Sequence, residues 1–91
     1  MIQSIKGKDT RAAWEGRFSR KFQSIQGRAL ARMEALDSAT SLRALNIPAY
    51  RLDALKGDRE GQYSIRINDQ FRLCFEWRKG DAYEVEITDY H

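Results

Sequence analysis

The chain has one cysteine, one proline and one histidine among its 91 residues, and no long apolar run. Each scarcity excludes something. A lone cysteine, Cys74, leaves no internal disulfide, and its place in an apolar stretch reads as a small core residue rather than a nucleophile. No segment approaches the ~20 apolar residues that span a bilayer, and no basic-then-apolar leader opens the chain. The expectation is a cytoplasmic protein that makes no use of a membrane. No repeat, low-complexity tract or Pro/Gly-rich linker divides the sequence, so residues 1–91 read as one domain. That length allows one small core, which puts any function on a surface or in a shallow cleft. No His/Cys/Asp/Glu spacing suits a metal, and no glycine-rich loop suits a nucleotide's phosphates. Neither metal nor cofactor is expected.

What is abundant is arginine. Lysine and arginine number 16 against 13 acids, with a pI near 9.2; arginine supplies 11 and lysine 5 of the 16. The planar guanidinium fork favours bidentate phosphate recognition over diffuse charge. The charge is also uneven: residues 1–33 hold eight basic and two acidic groups, residues 76–91 two basic and five acidic. Those carboxylates would repel RNA unless they face elsewhere or do chemistry.

Pro48 marks the change from a helical to a strand pattern. Before it, Ile2 to Ile5 reads as a short strand, and Asp9 or Thr10 as the cap of a helix carrying Ala12, Ala13 and Trp14. Ser19 to Gly27 is ambiguous, its serines, glutamines and glycine being consistent with a loop between the helices. Ala29, Leu30, Met33 and Leu36 recur at helical spacing, and Asp37 or Ser38 caps a shorter turn through Leu42 and Leu45. After it the period is two, in Tyr63, Ile65, Ile67; Phe71, Leu73, Phe75, Trp77; and Tyr83, Val85, Ile87. Asn68-Asp69 and Lys79-Gly80-Asp81 are turn chemistry, so the strands form an antiparallel meander, with Arg51-Leu52 as a fourth strand entering through Lys56-Gly57-Asp58. The predicted fold class is α+β, two N-terminal helices on one face of a small twisted, mainly antiparallel sheet.

The opposite parity places Gln62, Ser64 and Arg66 beside Arg72, Cys74, Glu76 and Arg78. Alternation alone describes an ordinary solvated face; Lys56 and Arg59, near the same edge, tip it toward phosphate. RNA brings its own nucleophile, the 2′-hydroxyl. An enzyme then needs only to align it, take its proton, stabilise the phosphorane and protonate the leaving 5′-oxygen. His91 has a pKa in the right range for acid or base, Tyr90 can stack on a base or donate a proton, and Asp89 can accept one or orient the imidazole. Lys56 and Arg72 would offset phosphorane charge. The plainer account makes His91 an idle, solvated terminal residue.

Several separated segments in order carry a resemblance. They are Leu55-Lys56-Gly57-Asp58-Arg59-Glu60-Gly61, Tyr63-Ser64-Ile65-Arg66-Ile67-Asn68-Asp69-Gln70-Phe71-Arg72, and Asp89-Tyr90-His91, with looser matches at Asp37 to Thr40 and Leu42 to Leu45. Over almost its whole length the chain resembles the HigB-like branch of the RelE/ParE superfamily, toxins of bacterial type II toxin–antitoxin systems. The resemblance implies a RelE-like fold and a ribosome-dependent mRNA endonuclease that cuts the message in the decoding site. It implies catalytic roles for Lys56, Arg72, Asp89, Tyr90 and His91, and RNA contacts for Arg59, Arg66 and Gln70. It also implies a partner, a HigA-like helix-turn-helix antitoxin through which the toxin reaches operator DNA. The N-terminal helical half and the outer sheet surface are where that antitoxin is expected to land, and Arg11, Arg17, Arg20, Lys21, Arg28 and Arg32 would meet either its acidic groups or ribosomal RNA. Two other readings compete. In one, the same scaffold inhibits DNA gyrase in the manner of the ParE branch, without cutting RNA; in the other, it is a non-catalytic RNA-binding or co-repressor module.

Overall fold

The three runs of period-two alternation become three hydrogen-bonded strands, and their apolar parity decides which side the helices cover. The computed structural model describes residues 1–90. Helices α1 (Lys8–Trp14) and α2 (Gln26–Ser38) precede strands β1 (Asp53–Ala54), β2 (Gln62–Arg66), β3 (Phe71–Arg78) and β4 (Asp81–Asp89). The strands pair in chain order, all antiparallel. The result is the two-layer α+β arrangement expected from the sequence.

On the covered face Ile65, Leu73, Phe75 and Val85 are wholly buried against Ala29, Met33 and Leu36 of α2. Those α2 positions are spaced by four and three residues, which lines them along one side of the helix. Phe22 meets Phe71 edge to face, with ring centroids 5.7 Å apart, and so draws the segment between the helices into the core. A 3-10 turn at Gln23–Ile25 leads directly into α2, so the helix begins earlier than a loop through Gly27 would allow.

The first residues form two isolated parallel bridges rather than a strand, Ile2 with Ala82 and Ile5 with Val85. They sit along β4, whose outer edge would otherwise expose unpaired amides. Farther along the same edge the Ile87 amide donates to Thr10 Oγ1 at 3.1 Å. This is why Thr10 does not cap α1: its hydroxyl is needed by the sheet, the residue before the helix is Gly7, and Asp9 lies within the first turn. Asp9 instead accepts from Ser19 Oγ at 3.2 Å. Asp37 and Ser38 likewise belong to the end of α2, and Asp37 Oδ1 accepts from the Ile2 amide at 2.8 Å, tying the N-terminal segment to the helix layer. Ser41 precedes the 3-10 turn Leu42–Leu45.

Two strand details also differ from the sequence pattern. The fourth strand is Asp53–Ala54 rather than Arg51-Leu52, because a 3-10 turn at Pro48–Tyr50 runs on into Arg51 in the left-handed region, φ 47°. In β4, Glu84 has φ 52° and the register slips between Cys74 and Glu76. This bulge turns Ala82 into the core and puts Tyr83 opposite Glu76, on the other face, where its ring lies under the Arg78 guanidinium at 4.3 Å. Ser4 holds the bulge, its Oγ accepting from the Glu84 amide at 2.8 Å and donating to the Glu84 carboxylate at 3.1 Å. Among the described residues no helix is long and apolar enough to cross a membrane.

Leu73 has no exposed surface and lies on the central strand. Leu73→Ala should therefore lower unfolding free energy by about 2–5 kcal/mol, measured by urea denaturation. A loss under about 1 kcal/mol would show that the covered face is misassigned.

Candidate RNA-facing sheet surface

The helices cover one side of the sheet and leave the other open. On that open side the register aligns Arg66 with Arg72 and then Thr88, and Ser64 with Cys74 and then Glu86. Two arginines directly across from one another repel, and each is drawn to different partners. Arg66 pairs with the Asp69 carboxylate in the turn. Arg72 Nε donates to Ser64 Oγ at 2.7 Å, while its Nη2 donates to the Arg51 carbonyl at 2.5 Å and the Ser64 carbonyl at 3.3 Å. Charge-assisted bonds of this kind are worth about 1.5–3 kcal/mol each. They fix the guanidinium plane and leave Nη1 as the nitrogen these bonds do not engage. The left-handed conformation of Arg51 is what turns its carbonyl to Arg72.

Tyr90 follows β4 and closes this surface. Its amide donates to the Gln70 carbonyl at 2.7 Å, its hydroxyl lies 3.8 Å from Cys74 Sγ, and its ring centroid is 6.0 Å from the Arg72 guanidinium carbon. Partial burial, reinforced by the Cys74 contact, raises the phenol's pKa, with Arg59 and Arg72 pulling it back. The group at this position is therefore a proton-bearing phenol near neutral pH. Arg59 reaches over from the loop before β2, Nη1 donating to Gln62 Oε1 at 3.1 Å and Nη2 to Glu86 Oε1 at 3.0 Å. The bond to Glu86 raises its already high pKa.

Of the residues singled out from the sequence, Arg59, Arg66, Arg72 and Tyr90 share this open face. Lys56 is exposed and immediately precedes the 3-10 turn Gly57–Arg59, whose Arg59 reaches onto this face. Asp89 pairs with Phe71 in the register and so projects, by strand alternation, toward the other side of the strand end. There the Gln70 side-chain amide donates to its carboxylate at 3.1 Å. Gln70 thus grips the strand end twice, through its carbonyl and its side chain. His91 lies outside the described residues. Among the described residues no group of three or more His, Cys, Asp or Glu is placed to hold a metal.

Ser64, Glu86 and the Arg51 carbonyl are parts of the surface that the sequence reading did not assign a role. Parity did place Ser64 on the same face as Arg72. Nothing in the sequence marks Glu86 as the partner of Arg59, 27 residues away. Cys74 is buried as expected, yet it belongs to the open side, roofed by Tyr90.

Comparison with known proteins fits this geometry. Residues 11–91 match the family model of the RelE-like toxin of type II toxin–antitoxin system HigB. The chain is 45% identical over 60 residues to "Endoribonuclease HigB" of Proteus vulgaris, covering 66% of this chain and 65% of that protein. It is 40% identical over 60 residues to "Toxin HigB-1" of Vibrio cholerae serotype O1, covering 65% and 63% respectively. The matched stretch thus spans a little under two thirds of either relative's length. The fold is shared with the YoeB dimer from Staphylococcus aureus, at a TM-score of 0.58 and 18% identity over 99% of this chain and 94% of that one. With its family model matched from α1 onward, the chain belongs to the HigB-like family of RelE-like toxins of type II toxin–antitoxin systems.

Proposed function

We propose that this protein is an endoribonuclease that stops translation by cutting messenger RNA on the ribosome, through metal-independent attack of the RNA's own 2′-hydroxyl. The observation that carries the reading is Arg72, held rigid by Ser64 and the Arg51 carbonyl directly beside the neutral phenol of Tyr90. The name of the Proteus vulgaris relative, an endoribonuclease, supports the RNA-cleaving part of this reading.

In this mechanism the 2′-oxygen bonds to phosphorus, the phosphorane forms, and the bond to the 5′-oxygen breaks, leaving a 2′,3′-cyclic phosphate and a 5′-hydroxyl. Arg72 and Lys56 offset the charge that builds on the phosphorane oxygens. A guanidinium fixed before substrate arrives needs no reorganisation in the transition state. Tyr90 stacks on a base or gives a proton to the leaving oxygen. His91 takes the 2′-proton or orients the group that does, an acid or base role contributing ~10²–10⁴-fold, while Asp89, on the other side of the strand end, acts by orienting the imidazole. Arg66 and Gln70 line the approach of the message, and Arg59 adds positive potential. The ribosome supplies what this small face lacks, by holding the message in a reactive geometry.

The family also points to an antitoxin. We place a helix-turn-helix, HigA-like antitoxin on the helical half and outer sheet surface, with operator DNA reached only through that complex, in the cytoplasm. The basic groups of the N-terminal half would meet it or ribosomal RNA.

The test is to induce the untagged protein, Arg72→Ala and His91→Ala, and to map transcript ends on translated and untranslated copies of one message. Cuts confined to the translated copy, reduced about 10²-fold or more in either variant, are the expected outcome. Toxicity without cuts, unchanged in both variants, would replace this reading with the gyrase-directed one.

Tyr90 has its own check. With the folded phenol's pKa raised above the ordinary tyrosine value by burial and the Cys74 contact, the fold favours the protonated form. That contribution to stability is present below the ordinary tyrosine range and is lost as pH rises through the folded value. Phenolate absorbance of the wild type minus Tyr90→Phe should show a midpoint above 10.0; a midpoint at or below it would contradict the assignment.

A further inference from the structure

The loop that carries Lys56 has little to hold it. At its base the Leu55 amide donates to the Gln62 carbonyl at 2.8 Å. Between them the chain turns on two glycines in the left-handed half of conformational space, Gly57 at φ 68° and Gly61 at φ 93°, both with open space where a side chain would begin. The single 3-10 turn Gly57–Arg59 buries no residue. A segment with glycines at both ends and no packed side chain opens readily unless something ties it down.

Arg59 is that tie. Its fork joins Gln62 on β2 to Glu86 on β4, so the guanidinium bridges β3 diagonally, from the row of Glu76 to the row of Cys74. The side chains of Arg59 and Glu86 are 30% and 26% exposed, which screens the pair less than an ordinary surface ion pair. A carboxylate in the middle of an arginine-bearing face works against phosphate attraction. Its presence there makes sense as geometry rather than as charge.

We propose that Glu86 is a positioning residue: by holding Arg59 it latches the Lys56 loop onto the open face, keeping Lys56 at the rim beside the Arg72 and Tyr90 surface. The role rests on the cleavage reading above, but the latch can be read without RNA. If Glu86 acted only as a negative charge, removing it would tighten RNA binding and leave cleavage intact or faster. If it acts as a latch, removing it frees the loop and slows the chemical step without weakening binding.

The experiment compares hydrogen–deuterium exchange across residues 56–61 in the full chain with Glu86→Ala and Glu86→Gln, alongside single-turnover cleavage of a ribosome-bound message. Glu86→Ala should raise loop exchange about five- to tenfold, leave the amides of β2 to β4 unchanged, and lower the saturating cleavage rate about tenfold with half-saturation no higher. Glu86→Gln keeps an oxygen acceptor for Arg59 and should restore most of the loop protection and rate. Arg59→Met, approached from the loop side, should loosen the same residues and guards against a folding defect in the Glu86 variants. Unchanged loop exchange in Glu86→Ala and Arg59→Met would overturn the proposal, as would a freed loop with an undiminished cleavage rate. If the wild type cuts no message, the cleavage reading fails by itself, and loop exchange alone decides whether Glu86 is the latch.

Discussion

Everything on the open face follows from the burial of β3's other side. Phe71, Leu73 and Phe75 are locked against the helices, so Arg72, Cys74 and Glu76 must point away from them. A slip of one residue would carry Arg72 into the core and Leu73 into water, and the cost of burying an unpaired guanidinium forbids it. The strand is central, bonded to β2 and β4, so its parity is imposed on both neighbours. The hydrophobic core thereby sets the spacing of the charged groups with a precision that mobile surface side chains would not have. The bonds from Arg72 to Ser64 and to the Arg51 carbonyl then remove the remaining freedom.

The polar surface built on this frame is held by contacts of very different range. Arg66 with Asp69 and the Asn68 side chain with the Gln70 and Phe71 amides are local turn chemistry. Arg72 with Arg51 and Arg59 with Glu86 join segments about 20 to 30 residues apart. Gln70 binds the last described stretch of the chain to the β2–β3 turn through both Asp89 and Tyr90. The polar groups of this face thus come from loops and strand ends as well as from β2 and β3, while the sheet supplies the rigid base.

This difference in range also explains what the sequence disclosed. Alternation through Tyr63 to Trp77 and the turns at Asn68 and Gly80 are encoded within a few residues, so the meander and its two faces were legible. The parity of Tyr83 was not, because the bulge at Glu84 is held by Ser4 from the opposite end of the chain. Thr10 had the residue type of a cap, but a distant strand amide claimed its hydroxyl. Arg72 and Tyr90 were singled out first by what a phosphorane would require of nearby side chains and again by the family resemblance that three short segments carry. Ser64 and Glu86 stayed invisible as partners because a serine or glutamate on a strand has no local mark of what it will touch.

The pairing of Ile2 with Ala82 and of Ile5 with Val85 has a consequence for synthesis. Contacts separated by 80 residues cannot form until the later partner has left the ribosome's exit tunnel. The same holds for the surface around Arg72, whose phenol comes from the segment just past β4. A growing chain therefore carries neither the covered β4 edge nor the closed surface around Arg72 until β4 and Tyr90 have both emerged.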